Sequence, residues 1–317
     1  MGAQDRDRLT NSHWGAYWVG TEDGKVVRLT PLETDADPSP IGQGVIGALD
    51  APSRIRAPAV RKSWLEGGPG TRGDLRGEDA FVEVSWEEVN RLVAGELGRV
   101  REAHGNRAIY AGSYGWASAG RFHHAQSQLK RFLNCIGGFT RSVNSYSHAS
   151  GEVILPHILG DFDTASAWNT SWSLIARETD LFVAFGGTPV KNGQISQGGT
   201  GGHVQKGAIR AASEAGVRFV NISPLRSDVM EEAGADWLAL RPSTDTALML
   251  GLARVLVAEG LADRDFLDRY TVGFERFAAY LSGEVDGVEK SADWAAAITE
   301  VPAETIRKLA RRMAAGR

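Results

Sequence analysis

Three short apolar runs, at Leu181–Phe185, Arg218–Ile222 and residues 237–240, alternate with segments of helical spacing, and each breaks off in a loop of Gly, Pro, Ser or Thr. Runs of this length without polar alternation suit strands buried on both faces, which crossover helices join into a parallel sheet. The pattern predicts an α/β architecture, and ligands of such sheets gather at the carboxyl ends of the strands. If the strands are adjacent and parallel, the loops 186–191, 222–226 and 241–245 lie side by side. Lys191 suits a phosphate, Ser223 and Arg226 a sugar or phosphate, and Thr244 and Asp245 a ribose hydroxyl or a guanine edge. Each residue also has an ordinary reading, Asp245 as a helix N-cap and Arg226 as a surface charge. As a set they favour nucleotide binding.

Upstream the pattern is less regular. Residues 16–32 read as a hairpin around Glu22-Asp23-Gly24, and residues 31–77, rich in Pro, Gly and charge, as a covering loop. A strand at 81–84 runs into Ser85-Trp86-Glu87-Glu88, a capping box, before apolar residues at helical spacing. A strand at 108–111 opens into the loop Gly112-Ser113-Tyr114-Gly115-Trp116-Ala117-Ser118-Ala119-Gly120, and a helix then runs to about Ile136. The whole reads as an α/β chain: a small N-terminal β-rich segment (1–60), an α/β region (61–160) and a doubly wound parallel-sheet region (161–317).

Composition removes several function classes. Net charge is −4 without a long run of one sign, so no nucleic-acid surface is expected. No uncharged apolar segment reaches the ~18 residues of a membrane helix, and residues 1–12 lack a signal-peptide core. A cytoplasmic protein is expected, or a periplasmic one whose signal has been removed. The single cysteine, Cys135, rules out an iron–sulfur cluster held by four cysteines of this chain and is expected in the core. The histidines show no metal spacing. Residues 198–202 are glycine-rich but fit neither a dinucleotide fingerprint nor a P-loop, and a nicotinamide dehydrogenase would need the former. The stretch Asn144-Ser145-Tyr146-Ser147-His148-Ala149-Ser150-Gly151 crowds hydroxyls at an expected helix start. Local sequence favours a cap there, with a ligand or nucleophile as the alternative.

A family pattern now becomes visible. Ser12-His13-Trp14-Gly15, Gly112-Ser113-Tyr114-Gly115-Trp116, Tyr146-Ser147, Pro156-His157 and Arg241-Pro242-Ser243-Thr244-Asp245 occur in the order found in the dimethyl sulfoxide reductase family of molybdopterin oxidoreductases. The chain resembles the branch that reduces S-oxides and N-oxides (dimethyl sulfoxide, trimethylamine N-oxide and biotin sulfoxide reductases), and only its amino-terminal portion.

The resemblance implies a molybdenum bis(molybdopterin guanine dinucleotide) cofactor, no iron–sulfur cluster, and oxygen-atom transfer between Mo(IV) and Mo(VI). It makes Ser147 the protein ligand to molybdenum, a hard alkoxide beside soft dithiolene sulfurs. Tyr114 and Trp116 become the groups that orient substrate oxygen. Trp116, Lys191, Asn192, Ile222, Ser223, Ser243, Thr244 and Asp245 fall in cofactor-binding segments, and Arg226 joins them on its chemistry. Residues 1–60 then cover the cofactor, 61–160 carry the active-site loop and metal-ligand turn, and 161–317 form a Rossmann-like guanine-dinucleotide domain. The substrate would be a small S-oxide or N-oxide, and the electron donor a protein or reduced nicotinamide. The alternative is a catalytically incompetent fragment that binds at most one guanine dinucleotide.

Overall fold

A computed structural model describes residues 8–113, 124–143, 147–166, 169–196, 199 and 201–316. Two units separate by their internal contacts: Met1–Gly160 with Ser196–Gly201, and Asp161–Ile195 with Gly202–Arg317.

In the first unit β1 (Arg8–Ser12), β2 (Gly15–Glu22) and β3 (Lys25–Pro31) form an antiparallel sheet in that order. The expected hairpin joins β2 to β3 across Asp23 and Gly24, both at positive φ. Tyr17 anchors this sheet. Its ring is 2% exposed and its hydroxyl donates to the Trp14 carbonyl at 2.8 Å.

The stretch expected as a covering loop carries α1 (Gly44–Leu49), β4 (Ala59–Arg61) and α2 (Lys62–Gly67). β4 pairs antiparallel with β5 (Phe81–Glu83). Ser85 caps α3 (Trp86–His104) by accepting from the Glu88 amide at 3.1 Å.

The strand expected at 108–111 shortens to β6 (Tyr110–Ala111), because residues 106–108 form a 3₁₀ turn. β6 pairs in parallel with β7 (Thr140–Arg141), and α4 (Ala125–Cys135) lies between them in the chain. Cys135 corrects the expectation of a core thiol. It is exposed at the last residue of α4, and Leu133 is the buried member of that turn. Two residues along a helix is about 200° around its axis, so both cannot face inward.

The last helix of the unit, α5 (Ala149–Leu159), is capped at His148, which makes no side-chain capping bond. The N-cap position thus falls on His148, one residue after Ser147.

The second unit opens with α6 (Asp163–Ser166) and α7 (Trp172–Glu178). β8 (Leu181–Phe185), β9 (Arg218–Ile222) and β10 (Asp236–Leu238) form a parallel sheet with β9 in the centre. Register aligns Val183 with Val220 and Ala184 with Asn221, so side chains sort onto two faces.

On one face Phe182, Ala184 and Phe219 pack with Ile209 and Ala212 of α9 (Gln205–Glu214) and Trp172 of α7. On the other, Val220 and Ile222 pack with Leu248, Leu252 and Val255 of α10 (Asp245–Ala258), Ala295 of α13 (Ala292–Thr299) and Ile306 of α14 (Ala303–Ala315). Full burial of such side chains contributes about 1.5–3 kcal/mol each.

α8 (Val190–Gly193) follows β8, while α11 (Arg264–Tyr270) and α12 (Phe274–Ser282) link α10 to α13. Leu281 of α12 is fully buried. The architecture is mixed α/β with a small N-terminal β segment.

Candidate functional site

The parallel register brings the ends of β8, β9 and β10 to one edge, and each end turns sharply for a local reason. After β8, Gly186 and Gly187 adopt φ of +81° and +72°, where an L side chain is strained. The Gly186 amide donates to the Ile222 carbonyl at 2.8 Å and the Thr188 amide to the Asp228 carbonyl at 2.7 Å. Pro189 then starts the single turn of α8 that carries Lys191 and Asn192, both exposed.

After β9, Ile222 is fully buried in the core, so only its backbone serves this edge. Ser223 is also hidden, at 1% exposure. Its hydroxyl donates to the Asp228 carboxylate and accepts from the Leu225 amide at 3.2 Å, and its carbonyl accepts from the Trp237 indole at 2.8 Å. Ser223 thus shapes the loop, and its side chain does not reach outward. Arg226 is exposed, with its carbonyl held by the Asn221 amide group at 3.1 Å.

After β10 the Arg241 amide donates to the Thr299 carbonyl at 2.9 Å. Ser243 takes a left-handed φ of +65°, a conformation that costs a non-glycine residue roughly 1–2 kcal/mol. Thr244 occupies the N-cap position of α10, but its hydroxyl turns back to the Arg241 carbonyl at 2.6 Å. Asp245 is the first residue of α10 and not its cap, so its carboxylate sits at the positive end of the helix dipole.

The first unit brings two other predicted elements together. The pairing of Tyr110 with Thr140 and Ala111 with Arg141 makes the loop after β6 and the turn after β7 leave from neighbouring strand ends. A Cβ on Gly112 would stand 3.6 Å from that of Ser142, an ordinary contact. Ser147 is exposed in the turn directly before α5. His148, beside it, contacts Glu152 at 3.0 Å. Tyr114 and Trp116 lie outside the described residues.

A family model described as "Molybdopterin oxidoreductase" matches residues 54–305, and one for the molybdopterin oxidoreductase N-terminal domain matches residues 10–50. The chain belongs to the molybdopterin oxidoreductase family. A dimethyl sulfoxide/trimethylamine N-oxide reductase of Cereibacter sphaeroides is 40% identical over 316 residues, 100% of this chain and 38% of that protein. A biotin sulfoxide reductase of the same organism is 45% identical over 282 residues, 89% of this chain and 38% of the other. A trimethylamine-N-oxide reductase of Haemophilus influenzae is 38% identical over 317 residues, covering 99% and 38%. The chain thus spans about two fifths of the length of these curated relatives. Acetylene hydratase from Pelobacter acetylenicus shares the fold, with a TM-score of 0.52 and 20% identity over 93% of this chain and 36% of that one.

Membership of the molybdopterin oxidoreductase family implies a molybdopterin cofactor, and the polar atoms of the second unit's sheet edge offer a test of fit. Thr188 Oγ1 and Asn221 Oδ1 are buried without a hydrogen-bond partner among the described residues. Leaving such an atom unpaired costs about 1–3 kcal/mol, so a polar group is expected to meet each. Asn221 lines a cavity of about 590 Å³ together with Arg226, Glu231 and Trp237. Cationic Lys191 and Arg226 and anionic Asp245 on neighbouring loops match the mixed donors and acceptors of a nucleotide.

The sequence reading missed Thr188, Asn221, Asp228 and Trp237. Asn221 carried a signal, as a polar residue inside the apolar run Phe219-Val220-Asn221-Ile222. Asp228 carried none.

Proposed function

We propose that this chain supplies part of a molybdenum-dependent oxotransferase that reduces S-oxides or N-oxides, with a bis(molybdopterin guanine dinucleotide) cofactor and no iron–sulfur cluster. The substrates of the named relatives and their identity over nearly the whole chain support the reaction class. The parallel register of β8, β9 and β10 is the structural observation that carries the nucleotide part. It sets Lys191, Asn192, the backbone at Ile222 and Ser223, Arg226, Ser243, Thr244 and Asp245 on consecutive strand ends. Residues 161–317 are then a Rossmann-like, doubly wound guanine-dinucleotide domain, preceded by a cofactor-covering segment (1–60) and an active-site region (61–160).

When bound, the molybdenum group supplies two-electron oxygen-atom chemistry, so that an S-oxide with two electrons and two protons yields a sulfide and water. The chain's residues bind and orient. Ser147 supplies one hard oxygen ligand, and its place before the α5 N-terminus eases deprotonation. Tyr114 and Trp116 donate hydrogen bonds to the oxide oxygen of the substrate. Lys191 and Arg226 neutralise phosphate charge, and the Asp245 carboxylate accepts from the guanine edge. Electrons come from a donor protein or reduced nicotinamide, in the cytoplasm or the periplasm.

Ser147→Ala in a relative-length protein is expected to abolish oxide reduction and alter the metal's spectrum. Retention of both would remove Ser147 as the ligand. A second reading accompanies the coverage of about 38% of the relatives' length: a chain that binds at most one guanine dinucleotide and turns nothing over. Elemental analysis of the purified chain separates the two, since turnover needs one molybdenum per chain.

A further inference from the structure

Asp228 lies between two loops of the candidate nucleotide edge and touches both. Its carboxylate accepts the Ser223 hydroxyl proton, in the loop after β9. Its carbonyl accepts the Thr188 amide at 2.7 Å, in the loop after β8. The approach to the β8 loop is so close that a Cβ on Gly187 would fall 2.5 Å from Asp228 Cβ and 2.7 Å from its carbonyl oxygen. Asp228 closes its own turn through its amide, which donates to the Leu225 carbonyl at 3.2 Å. The Leu225 amide in turn donates to Ser223 Oγ at 3.2 Å, so Ser223 and Asp228 hold the two ends of one short loop.

Two side chains brace that loop from the sheet. Asn221 donates to the Leu225 and Arg226 carbonyls at 3.2 and 3.1 Å, and the Trp237 indole donates to the Ser223 carbonyl at 2.8 Å. The loop is therefore anchored to β9 and β10 by neutral bonds, while Asp228 links it to the loop after β8, beside the bond from the Gly186 amide to the Ile222 carbonyl.

We propose that Asp228 is a positioning residue that locks the loop after β8 to the loop after β9, holding Lys191 and Asn192 in register with Arg226 around a guanine nucleotide. The proposal rests on the nucleotide reading of this edge and adds a residue that touches no ligand. One carboxylate oxygen fixes the Asp228 side chain, and this sets the carbonyl that the Thr188 amide needs. Loss of the carboxylate leaves those main-chain bonds in place but loosens the Asp228 end of its loop, and with it the carbonyl that sets 186–192 against 223–228. A nucleotide whose phosphates and base span both loops then pays the ordering entropy on binding.

The test uses the 317-residue chain, GDP as the probe and two readouts. Amide hydrogen exchange reports protection of residues 186–192 and 223–228, and calorimetric titration reports affinity for GDP. In Asp228→Ala, exchange in both loops is expected to quicken about tenfold or more. GDP binding is expected to weaken about tenfold or more, the loss typical of one hydrogen bond to a charged group. Asp228→Asn keeps an acceptor for the Ser223 hydroxyl and is expected to recover affinity to within about threefold. That rescue separates the hydrogen bond from side-chain packing. Ser223→Ala cuts the same bond from its other end with a smaller change, and reports if Asp228→Ala does not fold. Unchanged exchange over 186–192 in the alanine variants overturns the proposal whatever GDP does, as does loosened exchange with undiminished GDP affinity. A wild-type chain that takes up no GDP overturns the nucleotide reading instead, and the exchange data still decide whether Asp228 joins the two loops.

Discussion

Gly186 and Gly187 provide an internal control for the geometry of the sheet edge. They are neighbours with nearly the same φ, +81° and +72°. A Cβ on Gly186 meets nothing within 4 Å, whereas one on Gly187 falls 2.5 Å from Asp228 Cβ and 2.7 Å from the Asp228 carbonyl oxygen. Placing an L-residue in left-handed backbone costs ~1–2 kcal/mol. Alanine loses less chain entropy on folding than glycine, which offsets ~0.4–1 kcal/mol. Gly186→Ala is therefore predicted to destabilise by roughly 0–1.5 kcal/mol. Gly187→Ala carries the same two terms plus an overlap with main chain, which cannot swing aside as a side chain would. Forced shifts of that kind add ~1–3 kcal/mol. The discriminating quantity is thus the difference between the variants, about 1–3 kcal/mol against Gly187→Ala. Native-state hydrogen exchange of the β9 amides, Arg218–Ile222, measures it as the opening free energy of the second unit. Equal losses in the two variants would refute the close approach of Gly187 to Asp228.

A similar contrast is predicted on helices. Gly251→Ala in α10 puts a Cβ 2.6 Å from that of Ala295 in α13, and overpacking of ~1–3 kcal/mol outweighs the gain in helix propensity, so the melting temperature falls. Gly207→Ala in α9 meets nothing within 4 Å and raises it by the equivalent of ~0.5–1 kcal/mol; a rise in both would show that α10 and α13 have slack. Leu248→Ala removes a fully buried side chain between β9 and α14 and is expected to cost ~2–5 kcal/mol, which urea titration of the second unit would report.

The pH prediction concerns Asp79, which accepts from Ser63 Oγ at 2.5 Å and from Arg61 Nε at 3.0 Å. The Ser63 bond, with support from Arg61, holds its carboxyl below the usual range. Its stabilising contribution is fully present above the unfolded pKa of about 3.9 and is lost as pH falls towards the folded value. Asp79→Asn should destabilise the first unit at neutral pH and match wild type in strong acid. A gap that persists in strong acid would show that titration of Asp79 is not the cause.

Legibility of the chain followed the range of the interaction. Strand β9 and the hairpin of β2 and β3 were readable because side-chain period, turn glycines and strand residues act within a few positions. Helix α5 was readable as a helix but not in its cap, since a one-residue shift moved the N-cap from Ser147 to His148. Cys135 belonged to an apolar pattern that the packed helix resolved in favour of Leu133. The order of motifs, from Ser12 to Asp245, carried the family without any structure, because each motif is contiguous in the chain.

By itself, then, the sequence determined the α/β alternation, the loops at which strands end, and the residue types those loops present. Tertiary structure alone decided which of these groups face outward and which are engaged. Ser223 looks like a ligand in one dimension, yet its hydroxyl is bound by Asp228, whose carbonyl holds Thr188 from another loop. The physical reason is that hydrogen bonds are satisfied by proximity in space. The proximity of residues 187 and 228 comes from the parallel register of β8 and β9, which no local composition encodes.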